Sequence, residues 1–430
     1  MTTSLSVRWV TNIAELETIV GTSYPSVFVA GYNSPGDGGG GFFYYNSGDT
    51  TSPSNGATII VADNGDRFYR IWDGGQFNLL WAGADRTGAA SSDAAMEAAL
   101  GVAAYIYVPN GRYRFDNQIS YAFPPGYAAF SLVGDGPDAT TLYFTHNSGI
   151  ALTYDTVDNA STAHVRDLTL AAGQANAGIG LNLIYASTSN INFGLTDITN
   201  VRCRGDDGIG ELFWNQGIRV QGVSNVNFTG VVISGPLIFS SGAVGLELQG
   251  NSKGSIVYNI NSCILDYNLY GLLYGDYIQG VTITNTQFTN CVYGVIAVSG
   301  ETSLVELAIS GSQFDTTTCS ILAQSQIGSA LLSNNSFYLE SGGTVAIQGI
   351  YTNSTITGNT FDCAEASAIG ILVSGGDGGV ISGNYFLNFG TGVSLQSGTA
   401  YWNVQSNQYV NVAIPVQNEG TSNTVGGGSP

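Results

Sequence analysis

ITNTQF (283–288), ISGSQF (309–314), LSNNSF (332–337), ITGNTF (356–361), ISGNYF (381–386) and VQSNQY (404–409) are successive forms of one phrase that closes on an aromatic residue. The closing positions 288, 314, 337, 361, 386 and 409 lie 26, 23, 24, 25 and 23 apart, and so steady a period marks a stack of near-identical units. Within each period Val, Ile, Thr and aromatic residues dominate, helical spacing is missing and Gly falls between short apolar runs, which reads as strand. At roughly 3.3 Å per residue, about 24 residues make a coil of three short strands and three turns. Coils stacked at strand spacing form an all-β, single-stranded parallel β-helix, a solenoid. A leucine-rich repeat would need its own leucine and asparagine spacing and a helix per unit, and the sequence has neither.

Two columns follow from the repeat. Asn335, Asn359, Asn384 and Asn407 each precede the closing aromatic by two places and are expected to stack as an amide ladder at one turn. A second phrase, Gly followed by alternating apolar positions, recurs as GIRVQG (217–222), GLELQG (245–250), GLLYGD (271–276), GVIAVS (294–299), GILVSG (370–375) and GVSLQS (392–397). Alternation turns Ile218, Val220, Leu246 and Leu248 inward. The outward column is then Arg219, Glu247, Leu273, Ile296, Leu322, Ala346, Leu372 and Ser394, whose run of apolar or small residues is expected to be covered by a neighbouring subunit.

Composition sets limits. Of 430 residues, 43% are hydrophobic, ample for one long core, and the 59 glycines suit a chain that turns several corners per coil. No run of 18 apolar residues exists, so no membrane span is expected, and the opening MTTSLSVRWV lacks the pattern of a secretory signal. Formal net charge is −20, and after Arg219 the only basic residue is Lys253. That half is unsuited to nucleic acid or anionic membrane, both of which demand clustered Lys or Arg. Cys203, Cys263, Cys291, Cys319 and Cys363 fall about one per coil with no CxxC or Cys/His spacing. They read as buried thiols of a protein assembled in a reducing cytosol, and neither metal nor cofactor is expected.

Residues 1–80 differ from the rest. TNIAEL (11–16) predicts a short capped helix, RFYRIWDGGQFNLLW (67–81) a hairpin, and SSDAAMEAAL (91–100) a capped amphipathic helix with Asp93 near its N-cap. A helix there would shield the apolar end and open edges of the first coil. The run GDGGGGFFYYNSGDTTSPSNGATIIVADNGDRFYRIWDGGQFNLLWAGADRTGAASSDAAMEAAL, followed by AYIYVPNGRYRF, resembles the start of the pectate-lyase-like β-helix superfamily as it occurs in bacteriophage tailspikes and capsule depolymerases. The resemblance implies a right-handed parallel β-helix over 81–425 with a small N-terminal mixed α/β capping or adaptor region, 1–80. It further implies a homotrimer, a bacterial surface polysaccharide as partner, attachment to other tail proteins through the N-terminal region, and a place on the virion.

Before Phe288 the period lengthens: Val201 to Ile233 and Ile233 to Leu265 are each 32 residues. The extra residues predict surface loops, mainly at 202–216 and 234–262, of the kind that build a binding face. The first brings Arg204, Asp206, Asp207, Glu211 and Trp214 together. Adjacent acids repel, which raises one pKa, while arginine holds another ionised, the split a glycosidase uses; Trp214 would offer an apolar face to a sugar. The plainer reading of the same stretch is a solvated turn with Arg–Asp pairs. A second group comprises Glu247, Asp266 and Asp276 with Tyr258, Tyr267, Tyr270, Tyr274 and Tyr277, rings and hydroxyls suited to a wet carbohydrate surface. Glu247 would stand one rung from Arg219, so a structural salt bridge is its simplest explanation. GDDG (205–208) also resembles part of the polygalacturonase signature, but no His follows His164 and no Arg follows Arg219. Hydrolysis of a surface glycan by a pair among these acids is the expected activity. A lyase and a non-enzymatic glycan-binding tail protein are the alternatives.

Overall fold

The computed structural model describes residues 7–426 apart from 157–159, 188–191, 209, 238–241, 252–253, 276 and 299–304. The chain opens with a five-stranded sheet of β1 (Arg8–Val10), β2 (Ser26–Val29), β3 (Gly41–Tyr45), β4 (Ile59–Val61) and β5 (Arg67–Arg70), ordered β1-β2-β3-β5-β4. Helix α1 (Ile13–Glu17) starts where expected: Asn12 Oδ1 accepts from Glu15 N at 2.9 Å, and the Glu15 carboxylate accepts from Thr11 N at 2.7 Å, a capping box that satisfies otherwise orphaned donors. Val27, Val29, Phe43 and Phe68 fill one side of the sheet, while Trp9 (67% exposed), Phe42 (49%) and Ile71 (63%) stand on the other.

The hairpin expected over 67–81 does not form. β5 pairs antiparallel with β3 and β4, whereas Phe77–Asn78 pairs in parallel with Tyr105–Tyr107 and enters the solenoid. The turn at Asp73–Gly75 thus separates two sheets. Helix α2 (Asp93–Val102) buries Ala95, Met96 and Ala99 over the first coil, and Asp93 accepts from the Asn117 amide at 2.9 Å, tying the two together.

From Phe77 to Val425 the described residues form one parallel β-solenoid, in which 33 strands stack in register. The coil of Gln313–Ile327 illustrates the register: Phe314 lies beside Phe288 above and Phe337 below, and Ile321 beside Val295 and Ile347. The closing aromatics stand in file at 4.7, 4.8, 4.8, 4.7 and 5.3 Å between ring centroids from Phe288 to Tyr409, with rings within 17° of parallel. The asparagine ladder is present: Nδ2 of Asn335, Asn359 and Asn384 each donate to the Oδ1 of the next at 3.1, 3.0 and 3.0 Å. Toward the N-terminus hydroxyls continue it, Ser312 N donating to Asn335 Oδ1 at 3.0 Å and Thr286 N to Ser312 Oγ at 3.2 Å. The corner just before the ladder requires positive φ, which Asn334 (56°) and Gly358 (68°) supply.

One outward column needs correction. Leu322 pairs with Gln348, not Ala346, so the column is Arg219, Glu247, Leu273, Ile296, Leu322, Gln348, Leu372 and Ser394. Ala346 is fully buried, with its neighbours Val345 and Ile347 also inside. The run is therefore interrupted by an amide. All five cysteines are buried and unpaired, and burial pushes the Cys203, Cys291 and Cys319 thiols up to about 12. Among the described residues no helix is long and apolar enough to cross a membrane.

Candidate functional site

Two long connections fall at one corner, between the second and third strands of consecutive coils. One joins Thr196–Gly205 to Trp214–Gln221, and the next joins Val232–Ser234 to Val244–Gln249. Within 234–262, Val244–Gln249 and Ser255–Asn261 are strands. The first loop folds onto itself: a Cβ on Gly205 would lie 1.9 Å from the Leu212 carbonyl oxygen, and one on Gly210, at φ +79°, 2.6 Å from Leu237 Cγ in the second loop. Only glycine fits either contact, which accounts for the glycine spacing of this segment.

Between the two loops lies a cavity of ≈ 190 Å³ bounded by Arg204, Asp207, Leu212, Ser234, Asp266 and Tyr267. Ser234 and Asp266 are paired on adjacent rungs, and Arg204 follows Cys203, which pairs with Ile233, one rung further back. Asp266 Oδ1 is buried without a hydrogen-bond partner. Burial raises its pKa, and a hydrogen bond from Ser234 and the charge of Arg202 offset that only in part, so the environment favours the protonated acid. Asp207 Oδ2 accepts from the backbone N–H groups of Glu211 at 2.8 Å and Leu212 at 3.0 Å, while its Oδ1 is buried and unbonded. Arg204 donates from Nη1 to its neighbour's carbonyl, Gly205 O, at 2.7 Å. The arrangement sets an acid of raised pKa and a second carboxyl group beside one arginine in one cleft.

Other expected members lie elsewhere. Asp206 turns away to Arg112, 2.7 Å from Nη2, and the Arg112 guanidinium lies 3.8 Å from the Tyr143 ring centroid; this is a brace for the loop. Glu211 is exposed. Trp214 is a correction: it is 2% exposed, donates from Nε1 to Leu170 O at 3.1 Å and packs against Phe144, so it presents no face to a sugar. Tyr258 and Tyr274 are corrected likewise, at 0% and 2% exposed, the former donating its hydroxyl to Val223 O at 2.7 Å. Asp276 lies outside the described residues.

A second hollow, ≈ 360 Å³, opens on the third-strand stack around Glu247, Gln249, Leu273 and Tyr277. Glu247 is 8% exposed and accepts from the side-chain amides of Gln216 and, at 2.6 Å, Gln249. The salt bridge to Arg219 is not formed: Arg219 Nε donates instead to Asn182 Oδ1 at 3.2 Å. Further along the same stack a hollow of ≈ 480 Å³ is bounded by Tyr293, Thr318, Leu322, Gln324, Gln348 and Ser374. The rings of Tyr270 and Tyr293 stand 5.6 Å apart above it.

Sequence reasoning missed one acid pair. The Glu340 carboxyl is raised above its ordinary range by burial, by the negative charge of Asp315 and by a hydrogen bond with that residue. The signal was present: Asp266, Asp315 and Asp362 each directly follow the closing residue of their coil. Among the described residues no group of three or more His, Cys, Asp or Glu is placed to hold a metal ion.

Three family models match the chain. Residues 10–73 match "Phage tail protein small four-stranded beta-sheet domain", 76–317 match "Rhamnogalacturonase A/epimerase, pectate lyase-like", and 230–425 match "Periplasmic copper-binding protein (NosD)". The copper of the last description is not carried over, since the buried, scattered cysteines make no ligand set. No curated protein matches the sequence. By structure the chain is similar to an Acinetobacter phage tailspike protein (TM-score 0.55, 14% identity, covering 97% of this chain and 72% of that one). It is also similar to the A-module of the Azotobacter vinelandii mannuronan C-5 epimerase AlgE4 (0.55, 18%, 81% and 100%) and to PfbA, a surface adhesin of Streptococcus pneumoniae (0.52, 14%, 78% and 90%). At these identities the likeness is one of fold: a tailspike-like β-helix.

Proposed function

The chain belongs to the rhamnogalacturonase A/epimerase, pectate-lyase-like family, and from that premise we propose that it is a phage tailspike that grips a bacterial surface polysaccharide and hydrolyses it. The observation that carries this reading is the buried, hydrogen-bond-poor carboxyl of Asp266 in the cleft between the two loops. Asp266 donates its proton to the leaving glycosidic oxygen. Asp207, held by two backbone amides and lining the same cleft as Arg204, is the second carboxylate. The rungs that carry Asp266 and the root of the Asp207 loop are two strand spacings apart, about 9–10 Å. Tyr267, Tyr270 and Tyr277 with Glu247 and Arg219 continue the sugar contacts along the third-strand stack.

The apolar face of Trp9, Phe42 and Ile71 suits docking to another tail protein, and the outward Leu273, Leu322 and Leu372 suit a homotrimer; the protein then acts from the virion at the host surface. The deciding experiment is incubation with purified bacterial capsules and O-antigens. New reducing ends without the ultraviolet absorbance of an unsaturated uronate support hydrolysis, and that absorbance would replace it with a lyase. A binding-only protein is the second reading, favoured by the structural duties of Asp206 and of Asp207 Oδ2; intact glycan with saturable retention decides for it.

A further inference from the structure

Resting on the glycan reading above, we infer that the polysaccharide this protein accepts is uncharged along the stretch that lies on the coils after Arg219. The groove is made by the third-strand stack, whose hollows are lined by Gln249, Leu273 and Tyr277 and then by Thr318, Leu322, Gln324, Gln348 and Ser374. These are amides, hydroxyls and apolar surfaces. Among the described lining residues the one carboxylic acid is Glu247, and it is already occupied by Gln216 and Gln249.

Charge argues the same way. Residues 220–430 hold eleven acids, Glu247, Asp266, Asp276, Glu301, Glu306, Asp315, Glu340, Asp362, Glu365, Asp377 and Glu419, against Lys253 alone, a net of −10 from eleven minus one. A polyuronate, sulfated or sialylated chain places negative charges at short, regular intervals. Laid on this segment, it meets a region whose formal charge has the same sign, a repulsion that weakens with salt. Among the described residues the cations able to relieve it are committed or confined to one end. Arg112, Arg114 and Arg202 each hold an acid, at 2.7, 2.7 and 2.6 Å. Arg204 and Arg219, bonded to a carbonyl and an amide oxygen, both stand at the N-terminal end of the groove. An isolated acidic substituent could meet these two, whereas a repeating one could not. Neutral hexoses and N-acetylated sugars match the amide and hydroxyl lining, since each of their hydroxyls both donates and accepts.

The test is retention of the full-length protein on an array of purified bacterial capsules and O-antigens of known composition, in EDTA, at low and at high sodium chloride. The expected result is retention on glycans with neutral or N-acetylated repeats, changing less than about twofold between the two salts, and at least tenfold weaker retention on alginate, polygalacturonate and acidic capsules. Tight retention on an acidic repeat that weakens with salt overturns this inference and leaves the glycan reading standing. Retention on no polysaccharide counts against the glycan reading and takes the inference with it.

Discussion

Arg112 in the first coil reaches Asp206 at 2.7 Å across 94 positions of sequence, and so anchors the insertion loop whose next residue, Asp207, enters the cavity. The pair is partly exposed, so its own contribution to stability is at most about 1 kcal/mol. Arg112→Gln should leave the melting temperature within a few degrees while lowering glycan cleavage about tenfold, by loosening the loop. Calorimetry beside reducing-end assays would separate the two; a large loss of stability would show that the brace serves the fold instead.

Asp266→Asn should abolish cleavage, by about 10²- to 10⁴-fold, and leave glycan binding intact. The sign of the pH dependence follows from burial. Its raised pKa keeps the acid protonated above the usual carboxylate range, and activity falls as pH rises through that raised value. The alkaline limb of kcat/KM should therefore disappear in the residual activity of the variant. A limb that persists assigns it to another group.

Core and surface aromatics should separate cleanly. Trp214→Ala should cost about 3–5 kcal/mol of stability, as expected for an emptied core position. Tyr274→Phe should be neutral or stabilising, because the Tyr274 hydroxyl is buried without a partner. Tyr277→Ala should weaken glycan retention with no change in melting.

In the ladder, Asn359→Ala takes the side-chain partner from the backbone N–H of Asn335 and from the Leu332 carbonyl of the preceding turn, an expected loss of about 1–3 kcal/mol for each buried group orphaned. Phe337→Ala removes one ring from the file and should cost about 3–5 kcal/mol. Chemical denaturation of both variants provides the check.

Glu340 is raised by burial and by the neighbouring Asp315, and that makes stability depend on pH. The folded state holds the Glu340 proton more tightly than the unfolded chain, so stability falls as pH rises through the ordinary Glu range toward the raised value. Glu340→Gln removes the dependence. It should melt higher than the parent near neutral pH and equal it in acid; an equal difference at both would rule out the raised Glu340.

How much was legible follows from parity and contact. The file of aromatics could be read because like residues stack on like at a fixed period. Trp214 lies four before Ile218, Tyr274 two after Leu272 and Tyr258 two before Ile260, so strand alternation already assigned all three inward. The expectation went wrong by reading residue type over position. Ala346 was misplaced because Val345, Ala346 and Ile347 are all buried, which hides the alternation. The Asp266 cavity was half legible: the long intervals located the loops and their acids. That Asp206 faces Arg112 while Asp207 faces the cleft depends on how the loop closes at Gly205, a matter of three-dimensional contact that spacing does not encode.

Strands one coil apart are separated by about 4.8 Å, close to the advance of one pyranose along a polysaccharide. A groove running down the stack is thus graduated like a ruler, each turn of protein offering its Gln, Leu or Tyr to one successive ring. Duplicating or excising a single turn would lengthen or shorten the recognised oligosaccharide by one sugar while leaving the cleft at Asp266 untouched.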